Sequence, residues 1–251
     1  MHDIDVYGTI GSGGWLDDEG VTAKQLIDAL REANGDDVCI HVNSGGGDVF
    51  DAQAMSESIR AYDGHVTASI EGLAASAASF FALTADEVVM NPSALVMVHN
   101  PSTYAMGDAK DMRAAAERLD KVRGTIVRTY TDKTGKDAET VGAWMDAETW
   151  MDANEAIANG LVDSLTDAKP IAAYVSKDVL SAYQNAPKGL EPHATAESHA
   201  SADPITSDEQ LAGEPEPTTF EDEKATESEA GKVGVEATPK AFCVAGTFLR
   251  A

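Results

Sequence analysis

The chain has 251 residues, 43% of them hydrophobic, which is enough for one or two domains with a substantial core. Its formal net charge of -25 makes a surface that repels nucleic acid, so a nucleic-acid partner is not expected. There is no run of about 18 apolar residues to span a bilayer, and the start MHDIDVYG lacks the basic and apolar regions of a signal peptide, so a cytoplasmic protein with no membrane partner is expected.

Taken in chain order, Ile4 to Ile10 alternates apolar and polar residues as a strand does. After the loop from Gly11 to Gly20, Thr22 and Gln25 have the spacing of a capping box. Leu26, Ile27, Leu30 and Ala33 then form a helical stripe that Asn34-Gly35 stops. Val38 to Val42 predicts a strand running into a glycine turn, Asn43-Ser44-Gly45-Gly46-Gly47, and Cys39 within it reads as a small core residue. With only Cys243 besides, there is no disulfide framework. Ala52, Met55, Ser56 and Ile59 mark the next helix. Val66 to Ile70 predicts a buried strand, which Gly72 is expected to break, followed by a helix through Leu83.

Glu87 to Met90 and Ala94 to His99 predict two further strands. Asp108 to Thr131 is a long charged helix with Met112, Ala115, Leu119, Val122, Ile126 and Tyr130 along one side, a stripe that needs a partner. A short helix over Val141 to Asp146, an extended segment over Thr149 to Met151 and a helical turn or two over Asn154 to Asn159 complete the pattern. Alternating strands and helices predict an α/β fold with a mainly parallel sheet. The pattern divides the chain into a folded domain over 1–168, a domain edge or linker over 169–186, and an acidic tail over 187–251. Between Pro187 and Lys240 the tail is rich in Pro, Glu, Ala, Thr and Ser, so it cannot bury enough apolar area to offset its ordering entropy and is expected to be disordered. The last residues, AFCVAGTFLRA, are apolar again and predict a short docking segment.

Parallel α/β sheets put their active sites beyond the carboxyl ends of the strands. Gly47, Ser76 and His99 all fall at or just past such ends. Alone, Ser76 would be an N-cap or packing residue, His99 a structural histidine and the triple glycine a tight turn. Together they suit nucleophilic catalysis: a serine, a base, and backbone N–H groups for an oxyanion. The base needs an orienting carboxylate, and Asp146 and Glu148 in MDAETW are the candidates. His41 lies inside a strand and His65 before one, at the wrong end for this role. Neither a GxxxxGK[ST] nor a GxGxxG pattern is present, so a nucleotide site is not supported.

The stretches VNSGGGDVFDAQAM from Val42, GLAASAASF from Gly72, MVHNP from Met97 and ETWMDANEAIANGLVDS from Glu148 give the chain a specific resemblance. It resembles the ClpP-type serine peptidases, and most of all the ClpP-related proteases encoded beside phage capsid genes, over roughly Ile4 to Leu165. The resemblance implies a ClpP/crotonase-like fold of repeated β-β-α units with a protruding handle helix, here Asp108 to Thr131. It implies Ser76 as nucleophile, His99 as base, and the N–H groups of Gly47 and Ala77 as the oxyanion hole. Counting back from Gly160-Leu161-Val162-Asp163 puts Glu148 at the position of the family's aspartate, with Asp146 as the alternative. No metal or cofactor is implied.

The resemblance further implies a serine endopeptidase acting on polypeptides, with capsid or scaffold proteins as substrates in prohead maturation. It would work in the host cytoplasm or within the prohead. A homo-oligomer follows too, as a heptameric ring or stacked double ring. Gly45 stands where the family usually has proline, and little chain precedes Ile4, which counts against a Clp-type ATPase partner. Two other readings compete: a catalytically inactive ClpP-fold protein whose tail acts as a scaffold, and a crotonase-type acyl-CoA enzyme.

Overall fold

The computed structural model describes residues 1–12, 20–167, 181, 183–187 and 249–250. Most of the loop expected over Gly11 to Gly20 lies outside them, as does the acidic tail with its apolar terminus, residues 187 and 249–250 excepted.

A seven-stranded sheet forms the centre. Strands β1 (His2–Ile10), β2 (Val38–Gly47), β3 (Val66–Ala75), β4 (Glu87–Met90) and β8 (Ser164–Leu165) pair in that order, all parallel. A branch leaves β3: β5 (Leu95–Val98) pairs with it in parallel, and β7 (Thr149–Met151) closes on β5 in the antiparallel sense. The helices are α1 (Ala23–Ala33), α2 (Val49–Arg60), α3 (Ala77–Ala82), α4 (Ala109–Thr134), α5 (Ala138–Asp146) and α6 (Ala153–Asn159). Two short strands, β6 (Ser102–Thr103) and β9 (Leu249–Arg250), pair antiparallel apart from the main sheet. The architecture is the mixed α/β fold with a mainly parallel sheet that the alternating pattern predicts.

Local chemistry fixes most helix ends. Thr22 accepts from Gln25 N–H while the Gln25 side chain accepts from Thr22 N–H, so the expected capping box forms, and Asn34 ends α1 in the left-handed region. Asp152 and Glu155 make a second box at α6. The landmark Asp163 is tied twice: its carboxylate accepts from Val88 N–H at 2.8 Å and from Lys133 Nζ at 2.6 Å.

Three expectations change. Gly72 does not end its strand; β3 runs on to Ala75, pairing with β4 over Thr67–Ile70 and with β5 over Leu73–Ala75. Gly72 therefore marks the changeover between partners. The glycine turn is likewise part of a strand, because β2 continues to Gly47 through a register shift between Val42 and Ser44. In α4, the apolar stripe is only partly unpartnered. Ile126 and Tyr130 are buried in the domain's own core, and Leu119 and Val122 pack against it, while Met112 near the start stays 39% exposed.

Candidate active site

Ser76 sits between β3 and α3 with φ 59° and ψ -122°, a backbone conformation that costs a non-glycine residue energy. Three bonds hold its backbone there: its N–H donates to the Met97 carbonyl at 2.9 Å, and its carbonyl accepts from Phe80 N–H at 3.0 Å and from the Ser79 hydroxyl at 2.8 Å. Its side chain makes no capping bond to α3. Instead Oγ lies 2.7 Å from His99 Nε2. Ser76 is 3% exposed while His99 is half-buried, so the contact is part-buried.

The neighbouring Ser79 is bound differently. Its hydroxyl contacts the Ser76 carbonyl, the Met97 carbonyl and the Tyr130 hydroxyl, each at 2.8 Å, within the core. That is a structural role, tying α3 to β5 and α4. His41 bonds Glu71 at 2.7 Å and Asp3 at 3.2 Å, and His65 lies near Asp86 and Glu87, so neither approaches Ser76.

The glycine strand end packs directly against the serine turn. A Cβ on Gly46 would lie 2.8 Å from Ser76 Cβ and 3.0 Å from Ala77 N. On Gly47, whose φ is 154°, a Cβ would lie 2.1 Å from the Ile10 carbonyl oxygen. Side chains are thus excluded at both positions, and the backbone of the strand end is brought against the Ser76–Ala77 peptide.

The two candidate carboxylates have separate surroundings. Asp146 accepts from Asn100 Nδ2 at 2.8 Å and from Arg123 at 3.1 Å, and Arg123 Nε also donates to Asn100 Oδ1 at 2.8 Å. The Asn100 bond, with Arg123 beside it, holds the Asp146 carboxyl below the usual carboxylate range. Asp146 is therefore engaged one residue past His99.

Glu148, at φ 49° between α5 and β7, accepts from Gln184 N–H at 3.0 Å and Asn185 N–H at 2.6 Å. Trp150 Nε1 adds a longer bond of 3.3 Å. Among the described residues no carboxylate hydrogen-bonds to His99. Burial lowers the His99 pKa below the ordinary imidazole value, and the charge of Glu148 pulls it the other way.

Three participants lie outside the sequence-based set. Asn100 and Arg123 fix the chain just after His99; Asn100 stood within the MVHNP stretch, but nothing in the helix pattern singled out Arg123. Tyr183 is the third. Its hydroxyl donates to the Gly45 carbonyl, and its ring meets His99 and Trp150 edge-on at centroid distances of 5.4 and 5.6 Å.

Among the described residues, one group of metal-ligand type is close-set, Asp3, Cys39 and His41, on the β1–β2 side of the sheet. It does not include Ser76 or His99.

The chain matches the Clp protease family over residues 17–169. It is 31% identical over 158 residues to ATP-dependent Clp protease proteolytic subunit 1 of Chlamydia muridarum, covering 59% of this chain and 82% of that one. Subunit 3 of Streptomyces coelicolor is 34% identical over 158 residues, with 61% and 72% covered. A solved structure of a ClpP1 mutant from Listeria monocytogenes shares the fold with a TM-score of 0.57 at 22% identity, over 67% of this chain and 92% of that one. The matched span contains Gly47, Ser76, Ala77, His99, Asp146 and Glu148, and with the sheet order and the Ser76–His99 contact it places the chain in the Clp protease family.

Proposed function

We propose that the protein is a serine endopeptidase. The observation that carries the reading is the 2.7 Å contact between Ser76 Oγ and His99 Nε2 on a strained turn beside a bare-backbone strand end. Ser76 attacks the peptide carbonyl, and His99 takes its proton and returns it to the leaving amine. Gly47 and Ala77 supply N–H groups to the oxyanion, which develops where side chains are excluded.

Glu148 is the better acid than Asp146, because its charge acts on His99 while Asp146 is committed to Asn100 and Arg123. Glu148→Gln should therefore lower kcat more than Asp146→Asn. Ser76→Ala should lower kcat on a peptide substrate by several orders of magnitude with the fold retained, as loss of a triad nucleophile does. Hydrolysis by Ser76→Ala at the unmodified rate would remove the assignment.

Within this activity, prohead maturation of phage capsid or scaffold proteins is the physiological role we favour. It is supported by the resemblance of the four sequence stretches and by an acidic tail suited to tethering the protease to an assembly. The working form is a ring or stacked pair of rings, supported by the family resemblance and by the exposed Met112 near the start of α4. A second reading, an inactive domain with a scaffolding tail, has one observation in its favour: Glu148 bonds to backbone N–H groups rather than to His99. Turnover of a casein or peptide substrate separates the two.

A further inference from the structure

Two of the three donors to Glu148, the N–H groups of Gln184 and Asn185, come from beyond the family-matched span, which ends at 169. Tyr183, Gln184 and Asn185 touch five residues in and around the candidate site. The Tyr183 hydroxyl is on the Gly45 carbonyl, two residues before the proposed oxyanion donor Gly47. The Tyr183 ring stands edge-on to the ring of His99 and to that of Trp150. The N–H groups of Gln184 and Asn185 take one Glu148 oxygen each, at 3.0 and 2.6 Å. The Asn185 side chain fastens the same segment to the Ala147 carbonyl at 3.0 Å.

We propose that Tyr183–Asn185 is a positioning element of the catalytic site that holds the Glu148 carboxylate off His99 and packs its tyrosine ring edge-on against the imidazole. The inference rests on the serine-peptidase reading for its consequence in catalysis, but not for its geometry. A carboxylate accepting two N–H bonds has its charge stabilised in place and has less to gain by moving to a ring nitrogen. In this arrangement Glu148 acts on His99 through space. Released, it would hydrogen-bond to the imidazole and favour the imidazolium directly. Around His99, among the described residues, the groups that bear on its charge are Glu148, Tyr183, Ser76 and, one residue along at Asn100, the Arg123–Asp146 pair. The last two neutralise one another and are fixed by their own bonds, so Glu148 is the group whose position can change.

Asn185→Pro deletes the shorter of the two N–H bonds, whereas Asn185→Ala keeps it and removes only the side chain. Tyr183→Ala removes the anchor on Gly45 and the ring on His99, and serves if the proline variant does not fold. Two readouts are taken on the full chain. One is the pH dependence of carbethoxylation of His99 by diethyl pyrocarbonate, followed by peptide mass spectrometry, which needs no catalysis. The other is the acidic limb of kcat/KM on a peptide.

The His99 midpoint should rise by about one pH unit in Asn185→Pro, the size expected when a carboxylate comes into contact with the ring. Tyr183→Ala should shift it in the same direction, and Asn185→Ala should shift it much less. Glu148→Gln placed in the Asn185→Pro background should erase the rise. A midpoint unchanged or lowered in both Asn185→Pro and Tyr183→Ala would overturn the proposal. A raised midpoint with no peptide hydrolysis in the unmodified chain would leave the clamp standing and overturn the peptidase reading. Hydrolysis with an unmoved midpoint and limb would do the reverse.

Discussion

In the proposed mechanism His99 has to be neutral before it can take a proton from Ser76, so its environment would set the pH at which the site works. Burial is the larger influence and disfavours the charged ring; Glu148 opposes it. The net direction is downward, so the imidazole stays neutral to lower pH than a free one. The prediction is that the acidic limb of kcat/KM lies below about 6.5, the ordinary imidazole value. Activity is then retained through mildly acidic pH and lost as the pH falls through the lowered pKa. A limb at or above that value in the unmodified chain would show that the burial seen here does not govern the reacting form. At this scale Ser76 and His99 were legible because each follows a strand and carries chemistry there. The hold on Glu148 was not legible, because its donors are backbone N–H groups and backbone groups leave no trace in residue type. Arg123 was hidden for another reason: one arginine on a charged helix looks like every other until the fold puts it over Asn100.

At the scale of elements, periodicity located the strands and helices well, and glycine misled. Gly72 and the Gly45–Gly47 run read as breaks, since glycine weakens a strand. In the fold Gly47 lies against the Ile10 backbone and Gly46 against the Ser76 turn, while Gly72 has the Asn43 side chain where a Cβ would be and marks the point where β3 changes partners. The stripe on α4 carries a similar lesson. A helical face shows that something is buried, not what covers it, and all of this one except Met112 is buried in or packed against its own domain. Ile126, 1% exposed, is a core residue, so Ile126→Asp should destabilise the protomer by about 4 kcal/mol, as charges forced into a core do. Thermal denaturation should report that loss at any protein concentration. Met112→Glu, on the exposed part of the helix, should leave the melting temperature of the protomer nearly unchanged and lower the mass seen by light scattering. If Ile126→Asp melts like the unmodified chain, the packing of α4 described here is wrong.

For the whole molecule, the sequence divided folded domain from acidic tail near 187, and Tyr183–Asn185 falls in the span that the same reading gave to a domain edge or linker. Composition places such a boundary by where apolar residues thin out, and it cannot show that Tyr183 with Gln184 and Asn185 after it returns to the site. The tail proper is still expected to be dispensable for folding. Truncation after Ala186 keeps Tyr183–Asn185 and should keep the melting temperature within a few degrees, the assembly and the hydrolysis of a small peptide. Truncation after Asp167 removes that segment as well and should shift the acidic limb upward. If the two truncations behave alike, the segment has no part in the site.

In the proposed mechanism Ser76 is a nucleophile made reactive by His99. The most direct measurement is to treat the full chain with a fluorophosphonate and locate the adduct by peptide mass spectrometry, in the unmodified protein and in His99→Ala. A single stoichiometric phosphonyl adduct is expected on Ser76 and none on the buried Ser79, and labelling should slow at least about a hundredfold without the histidine, since general-base assistance is worth that much or more. No adduct on Ser76, or an adduct on Ser76 that forms as fast without His99, would contradict that mechanism.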